Sequence, residues 1–444
     1  MARKNIPFHQ HIWEWIKKNF RWLTPGIGVK RWFILTLIGT TLTGVGLAIL
    51  ILDIYRNTPE SWWLPILSVV SLRFLARPVR VVIFCGIGLV MIVIGILELN
   101  RSLIKPFIKP GRAVVDTIST HRKRERGARI VAIGGGHGLS TLLRGLKQYS
   151  YNLSAVVTVA DDGGSSGRIR REMGILPPGD IRNCLAALSS DEALLSQLFQ
   201  YRFPDGESNV EGHSFGNLFI SALSEITGSF EEAVVESGRV LGIHGQVLPS
   251  TLNNVKLVAD KLDPHLGREV RIEGESYIPS KNGKVKRVWL EPNSPPGFPQ
   301  AIKAILNADM IIIGPGSLYT SILPNLLIPD VAEAIRSSRA FKVYICNLAT
   351  QPGETDGYDC EDHINAIETH AGRGIFDLVV ANHFWQLPLP QNIEWVVIKP
   401  GAEERHPIYQ SNLVDVDFPW RHNSQKLAQV LMELLQERTG PLTE

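Results

Sequence analysis

The chain is 444 residues long, with 46 Lys and Arg against 43 Asp and Glu and a formal net charge of +3. So small a charge gives no case for nucleic-acid binding, while the length allows two or more domains with a sizeable core. The four cysteines (Cys85, Cys184, Cys346 and Cys360) form no CxxC pair, which argues against a disulfide framework or a zinc knuckle and suits a reducing compartment. Cys360 and His363 have ligand-like spacing, but a buried cysteine beside a polar loop is the plainer reading.

Before residue 130 the basic residues crowd around two uncharged apolar runs, Trp32–Leu52 and Val81–Leu97. About 20 apolar residues cross a bilayer as a helix, so two spans are expected at about 32–52 and 81–99. A signal peptide does not fit the first run, which starts late, is too long and lacks an A-x-A-like cleavage site. A buried core helix is the plain alternative for the second. Arg3, Lys4, Lys17, Lys18, Arg21, Lys30 and Arg31 precede the first run; Arg101, Lys105, Lys109, Arg112 and "HRKRER" follow the second. Positive-inside reasoning then makes residues 1–100 a membrane hairpin of a multi-pass inner-membrane protein, its large C-terminal domain in the cytoplasm. Trp62–Ala76 is apolar and aromatic but short, with Pro65 and Arg73, and reads as an interfacial segment.

Residues 101–129 read as a basic linker with a short helix. From Ile130 onward, "ARIVAIGGGHGLSTLLRGLKQY" is a strand, a glycine turn and a helix with apolar positions Leu139, Leu142, Leu143 and Leu146. "LSAVVTVA" follows as a second strand, completing a βαβ unit. "ADMIIIGPGSLYTSILPNLL" repeats the strand, glycine turn and helix, and "FKVYICNLAT" and "DLVVANH" supply two more strands. Residues 130–444 are therefore expected to be an α/β domain, a doubly wound, mostly parallel sheet. A β-rich insertion is expected at about 229–290, where "GQVLPST", "VRIEGESYIPS" and "GKVKRVWLEP" alternate.

Six stretches carry candidate chemistry. In "GGGHGLST", Gly134, Gly135, Gly136, His137 and Gly138 lie between strand and helix, with Ser140 and Thr141 behind them. Bare backbone at a helix N-terminus suits an anion. Leu139 stands where a GxGxxG pattern needs glycine and no GK[ST] follows, so neither standard fingerprint is met. The second stretch, "VADDGGSSGRIRREMG", holds Asp161, Asp162, Gly163, Gly164, Ser165, Ser166 and Arg168, with Arg170 and Arg171 beyond. A metal site, a catalytic pair and a nucleotide clamp are all open readings of it. Asp161 lies 27 positions after Gly134, where a doubly wound fold brings an acid to a ribose hydroxyl. Asp161 and Asp162 could equally hold a hydrated Mg²⁺, and the two glycines could form an anion nest.

"PPGDIRN" begins a helix in which Asp180 is either an N-cap or a ligand contact, with Asn183 beside Arg182. "GHSFGN" offers Asn217 and His213, the latter a weak general-base candidate with no nucleophile beside it in the sequence. "GPGSLYTS" places Gly314, Pro315, Gly316 and Ser317 at a second strand–glycine–helix junction, and two such junctions in one sheet suit a switch-point crevice. "CNLATQPGETDGY" ends a strand with Asn347, Thr350, Glu354 and Asp356, which could close that crevice or serve an interface. Together these features favour the nucleotide clamp.

In this order the stretches resemble the gluconeogenesis factor (YvcK-type) proteins, relatives of the CofD-type 2-phospho-L-lactate transferases, from Ile130 to about Asn382. The resemblance implies a Rossmann-like fold, a crevice for a nucleotide with UDP-sugars as its ligands, and a role in growth on gluconeogenic carbon and in cell shape or wall synthesis. It implies phosphate contacts from Gly134 to Gly138, Asn217, Gly314, Gly316 and Ser317, with Asp161 and Asp162 toward sugar or base. Partners in cell-wall regulation and a homodimer are further implications, and Mg²⁺ would be used if the chain resembles the transferases. His137 departs from the threonine of many relatives, and the N-terminal hairpin from the soluble members. A nucleotide-sugar sensor is the first functional reading and a phosphoryl-group transferase the second. An NAD-dependent oxidoreductase is disfavoured by Leu139.

Overall fold

This computed structural model describes residues 74–104 and 124–439, apart from 190–193, 205–209 and 265–266, with a few single positions before residue 73. The chain divides into two compact units, residues 1–122 and 123–444.

In the first unit, Arg77–Ile104 is one 28-residue helix. Val81, Val82 and Met91 on it are exposed. Among the described residues no helix is long and apolar enough to cross a membrane. The expected first span at 32–52, the segment 62–76 and linker positions 105–123 lie largely outside the described residues. The two spans are accordingly no part of the described fold.

The second unit starts earlier than expected. Asn152 donates its amide to the carbonyls of Glu125 and Gly127, at 2.9 and 2.7 Å, so residues 124–129 belong to the folded domain. Seven strands form its main sheet: β1 (Ile130–Gly134), β2 (Leu153–Val157), β3 (Gln246–Pro249), β7 (Met310–Ile313), β8 (Phe341–Ile345), β9 (Leu378–Asn382) and β10 (Ile408–Ser411). Their order is β10-β9-β8-β7-β1-β2-β3, and every neighbouring pair is parallel. The chain runs outward from β1 to β3, then restarts at β7 on the other side of β1. That reversal is the switch point at which doubly wound sheets bind ligands.

Alternation along the strands sorts their side chains into two apolar faces. Ile130, Ala132, Met310 and Ile312 join one core; Val131, Ile133, Ile311 and Ile313 join the other. Helices α1 (Gly136–Leu146), α3 (Gly179–Leu188) and α9 (Ser424–Thr439) cover the first face. α1 contributes Leu139, Leu142, Leu143 and Leu146, all fully buried, at about 1.5–3 kcal/mol each as an upper estimate. Leu139 departs from the dinucleotide fingerprint because this helix faces the core there. The second face is covered by α6 (Pro299–Leu306), α7 (Pro329–Ser337) and α8 (Cys360–Ala371). α8 starts on a capping box between Asp359 and Asp362, with Cys360 buried behind it.

The remaining strands, β4 (Lys256–Leu262), β5 (Glu269–Glu273) and β6 (Lys284–Glu291), form an antiparallel sheet of order β5-β4-β6. The β-rich insertion therefore spans 256–291. Earlier residues of the expected stretch behave differently. Ser229 caps α5 (Phe230–Val240) by accepting from the Glu232 N–H, and Gln246–Pro249 pairs parallel with β2 in the main sheet. A short alternating run reads the same in an edge strand as in a separate sheet, so only pairing decides.

Candidate functional site

At the C-terminal ends of β1 and β7 the two glycine-rich turns meet. Gly136 (φ 64°) and Gly314 (φ 81°) use left-handed backbone that glycine adopts freely. A Cβ on Gly138 would lie 2.4 Å from the Pro315 carbonyl oxygen, so the first turn of α1 touches the second junction directly. Asn325 ties the two together, donating to the carbonyls of Gly134 at 3.1 Å and Ser321 at 2.8 Å. α1 has glycine at its N-cap and no acid in its own first turn, and the Asp180 carboxyl accepts from the Gly136 N–H, one of the helix-end donors at this junction.

Above the junction opens a cavity of about 470 Å³, a size suited to a small ligand. Of the residues expected from sequence, Gly135, Gly136, His137, Gly138, Thr141, Asp161, Asp180, Pro315, Gly316 and Ser317 line it. Asn347 does too, its amide 3.4 Å from Gln351, which in turn donates to Ser317 at 2.7 Å.

One wall is acidic. Burial, together with the charge of Asp161, pushes the Asp180 carboxyl up to about 7. Burial and then Asp161, Asp180, Glu354 and Asp162 push Glu275 up to about 8. Burial raises Asp161 as well, although it accepts from the Gly163 N–H at 2.9 Å. Charge of the other sign comes from Arg421, which lines the cavity; burial first, then Arg421, Arg182 and Arg144, lower His137. Such a bipolar cavity accommodates an anion at the helix end and hydroxyls or a cation at the acids.

The other expected residues take supporting positions. Asp162 does not line the cavity and accepts from the Ser276 N–H at 2.9 Å, holding the insertion that delivers Glu275. Ser140 is buried and donates to the His137 carbonyl at 2.9 Å. Asp180 is not the N-cap of α3, a position taken by Pro178. Asn183 accepts from Arg182 at 2.8 Å, and Arg168 donates to the Glu211 carbonyl at 2.6 Å. Gly163 caps α2 (Gly164–Met173), within which Ser165 and Ser166 are buried. Asn217 donates to both serines, at 3.0 and 3.4 Å, and Ser165 lies 3.0 Å from His213 Nδ1. The fold thus puts a hydroxyl beside His213, yet neither residue lines the cavity, and the pair braces its wall. Arg170, buried, ties the loop to the insertion through Asn254 and the Val255 carbonyl.

Sequence reasoning missed Thr158, Glu275, Thr320, Ser321, Gln351 and the run Trp420–His422 as cavity residues. Glu275 lies over a hundred positions from Asp161, and Trp420–His422 almost three hundred from Gly134, so no local pattern announces them.

Mg²⁺ is commonly held by one or two carboxylates, with ligand phosphates and water completing its shell. Asp161 and Asp180 both line the cavity, and the charge of Asp161 adds to burial in raising Asp180, so they fit that use. Of the expected pair Asp161 and Asp162, Asp161 lines the cavity, whereas Asp162 does not and accepts from the Ser276 N–H. Among the described residues no group of three or more His, Cys, Asp and Glu could hold a metal by itself.

Residues 130–436 match the family described as 2-phospho-L-lactate transferase CofD. The gluconeogenesis factor of Bacillus subtilis is 45% identical over 318 residues, covering 70% of this chain and 98% of its own. A Nostoc relative of the same name, there carrying a provisional qualifier, is 46% identical over 443 residues and covers 94% of this chain and 93% of its own. Similarity to the Nostoc protein therefore extends into the N-terminal unit. A crystal structure of a Bacillus halodurans protein superposes with a TM-score of 0.63 at 42% identity, covering 69% of this chain and 99% of that one.

Proposed function

Because this chain belongs to the gluconeogenesis factor family and carries a CofD-like domain, we propose that it is a regulatory protein that binds a nucleotide-sugar, a UDP-sugar, at the switch-point cavity. The observation that carries this reading is the bipolar cavity at the paired glycine junctions. The α1 N-terminus, His137 and the nearby arginines suit a diphosphate; Asp161, Asp180 and Glu275 suit sugar hydroxyls or a Mg²⁺ shared with phosphate. Ligand occupancy would reach partners in growth on gluconeogenic carbon and in cell-wall synthesis through the insertion, which contributes Glu275.

The CofD match supports a second reading, a Mg²⁺-dependent transferase. Phosphoryl chemistry asks a protein mainly for positioning and charge, so it needs no protein nucleophile in the cavity. Titrating the full-length protein with UDP-N-acetylglucosamine and Mg²⁺ separates the two. Saturable binding with the nucleotide recovered intact, weakened at least about tenfold by Asp161→Ala, is the expected result. Steady turnover lost in that variant would establish the transferase instead, and no binding would refute both.

The same reading seats the chain at the inner membrane through the runs at 32–52 and 81–99, with the large domain cytoplasmic. Its support is the uncharged sequence between basic flanks and the exposed valines of Arg77–Ile104. A reporter fused after Glu444 is expected to read cytoplasmic in a membrane fraction; an external or wholly soluble signal would sink the hairpin.

A further inference from the structure

Almost all of the cavity wall is small or polar: glycines, hydroxyls, amides and carboxylates. Apart from the imidazoles of His137 and His422, Trp420 is the one aromatic ring among its described lining residues. We propose that Trp420 is the stacking platform for the nucleobase of the bound nucleotide, an assignment that rests on the nucleotide reading above. A base needs a flat apolar face, and the indole is the largest such face among the described lining residues.

The loop that carries Trp420 is built to hold it in place. Asp415 Oδ1 accepts from the N–H groups of Asp417 and Phe418 at 3.0 and 3.2 Å. The Asp415 N–H donates to the Arg421 carbonyl at 3.0 Å, and the Arg421 N–H to the Phe418 carbonyl at 2.8 Å. Val414 and His422 close the hairpin as an antiparallel bridge, and Lys426 donates to the Val414 carbonyl at 3.0 Å. A loop so fully bonded loses little freedom when a ligand arrives.

Trp420 nonetheless remains 37% exposed. Its one ring contact among the described residues is with Phe418, at 5.7 Å and 80°, near-perpendicular, so no described ring stacks parallel on it. The Arg421 guanidinium sits over Phe418, 5.3 Å from its centroid, leaving the indole without a cation of its own. A preordered, partly exposed indole without a parallel partner, at the rim of a polar cavity, matches how proteins seat bases by stacking.

The test is calorimetric titration of the full-length protein with UDP, for the wild type and for Trp420→Phe, Trp420→Leu and Trp420→Ala. Stacking of a base predicts that Phe stays within about threefold of wild type while Leu and Ala each lose about tenfold or more. The Leu variant keeps apolar bulk, so a role in merely supporting the hairpin would leave it close to Phe; that outcome overturns the assignment. Equal UDP affinity in all four proteins overturns it too and leaves the nucleotide reading standing. Absence of UDP binding in the wild type removes both.

Discussion

Gly138→Ala is expected to abolish nucleotide binding and to destabilise the domain by about 1–3 kcal/mol, the usual cost of forcing an atom into packed structure. The sign is not trivial. Gly138 sits inside α1 with ordinary helical backbone, where alanine is favoured over glycine by about 1 kcal/mol. Propensity alone would thus make the change stabilising. Against it stands the contact: the new Cβ would lie 2.4 Å from the Pro315 carbonyl oxygen, 2.8 Å from its carbon and 3.0 Å from the Gly316 nitrogen. All three are backbone atoms, which cannot swing aside as a side-chain tip can. To relieve the clash the two junctions must separate, and that moves the N–H groups offered to a phosphate. Gly145→Ala makes the matching control. Its Cβ would lie 2.0 Å from the Ser424 carbonyl oxygen, where α1 packs on α9, away from the cavity. Because neither Gly145 nor Ser424 lines the cavity, that variant should lose stability while its binding falls less than that of Gly138→Ala. Urea denaturation with UDP titration reads both, and a Gly138→Ala protein as stable as wild type would show that the junctions are not in hard contact.

A second large effect concerns pH. The stability of the ligand-free protein in EDTA should fall by about 2 kcal/mol between about pH 6.5 and 8.5. Asp180 and Glu275 titrate near 7 and 8 in the fold, and Glu354 near 7, whereas their ordinary values are 3.8 and 4.5. Through this window the folded state therefore holds more protons than the unfolded chain. Stability is full below the unfolded values and is lost as pH rises through the folded ones. Each pKa unit is worth about 1.4 kcal/mol, and the 2 kcal/mol figure already discounts for the part-exposure of the two cavity acids. The window must start near 6.5 because buried His363 and His422 and part-buried His370, all lowered, act the other way below it. Asp180→Asn with Glu275→Gln should remove more than half of the slope and raise stability at pH 8.5. Stability that rises across the window, or a slope indifferent to both substitutions, would mean that these acids are not held apart from water.

The way sequence and structure divide the information follows from distance along the chain. Both glycine junctions, the first βαβ unit and the position of Asp161 were legible because each is local: an apolar run of strand length, bare backbone, then helix-spaced leucines. A buried parallel sheet demands such patterns on its own, through the period-two and period-3.6 rules. The N-cap of α3 was less legible, since Pro178 and Asp180 both fit a helix start and only the cavity shows where the carboxylate points. The chain by itself thus determined the doubly wound class, the switch-point crevice and half of the cavity's lining. Folding alone decided the rest. It bound Asp162 to the insertion at Ser276, set Ser165 against His213, carried Glu275 in on the insertion and brought Trp420 to the rim from almost three hundred residues away. These are pairings between surfaces remote in sequence, chosen by which apolar faces must be covered together, and no single stretch of residues encodes them.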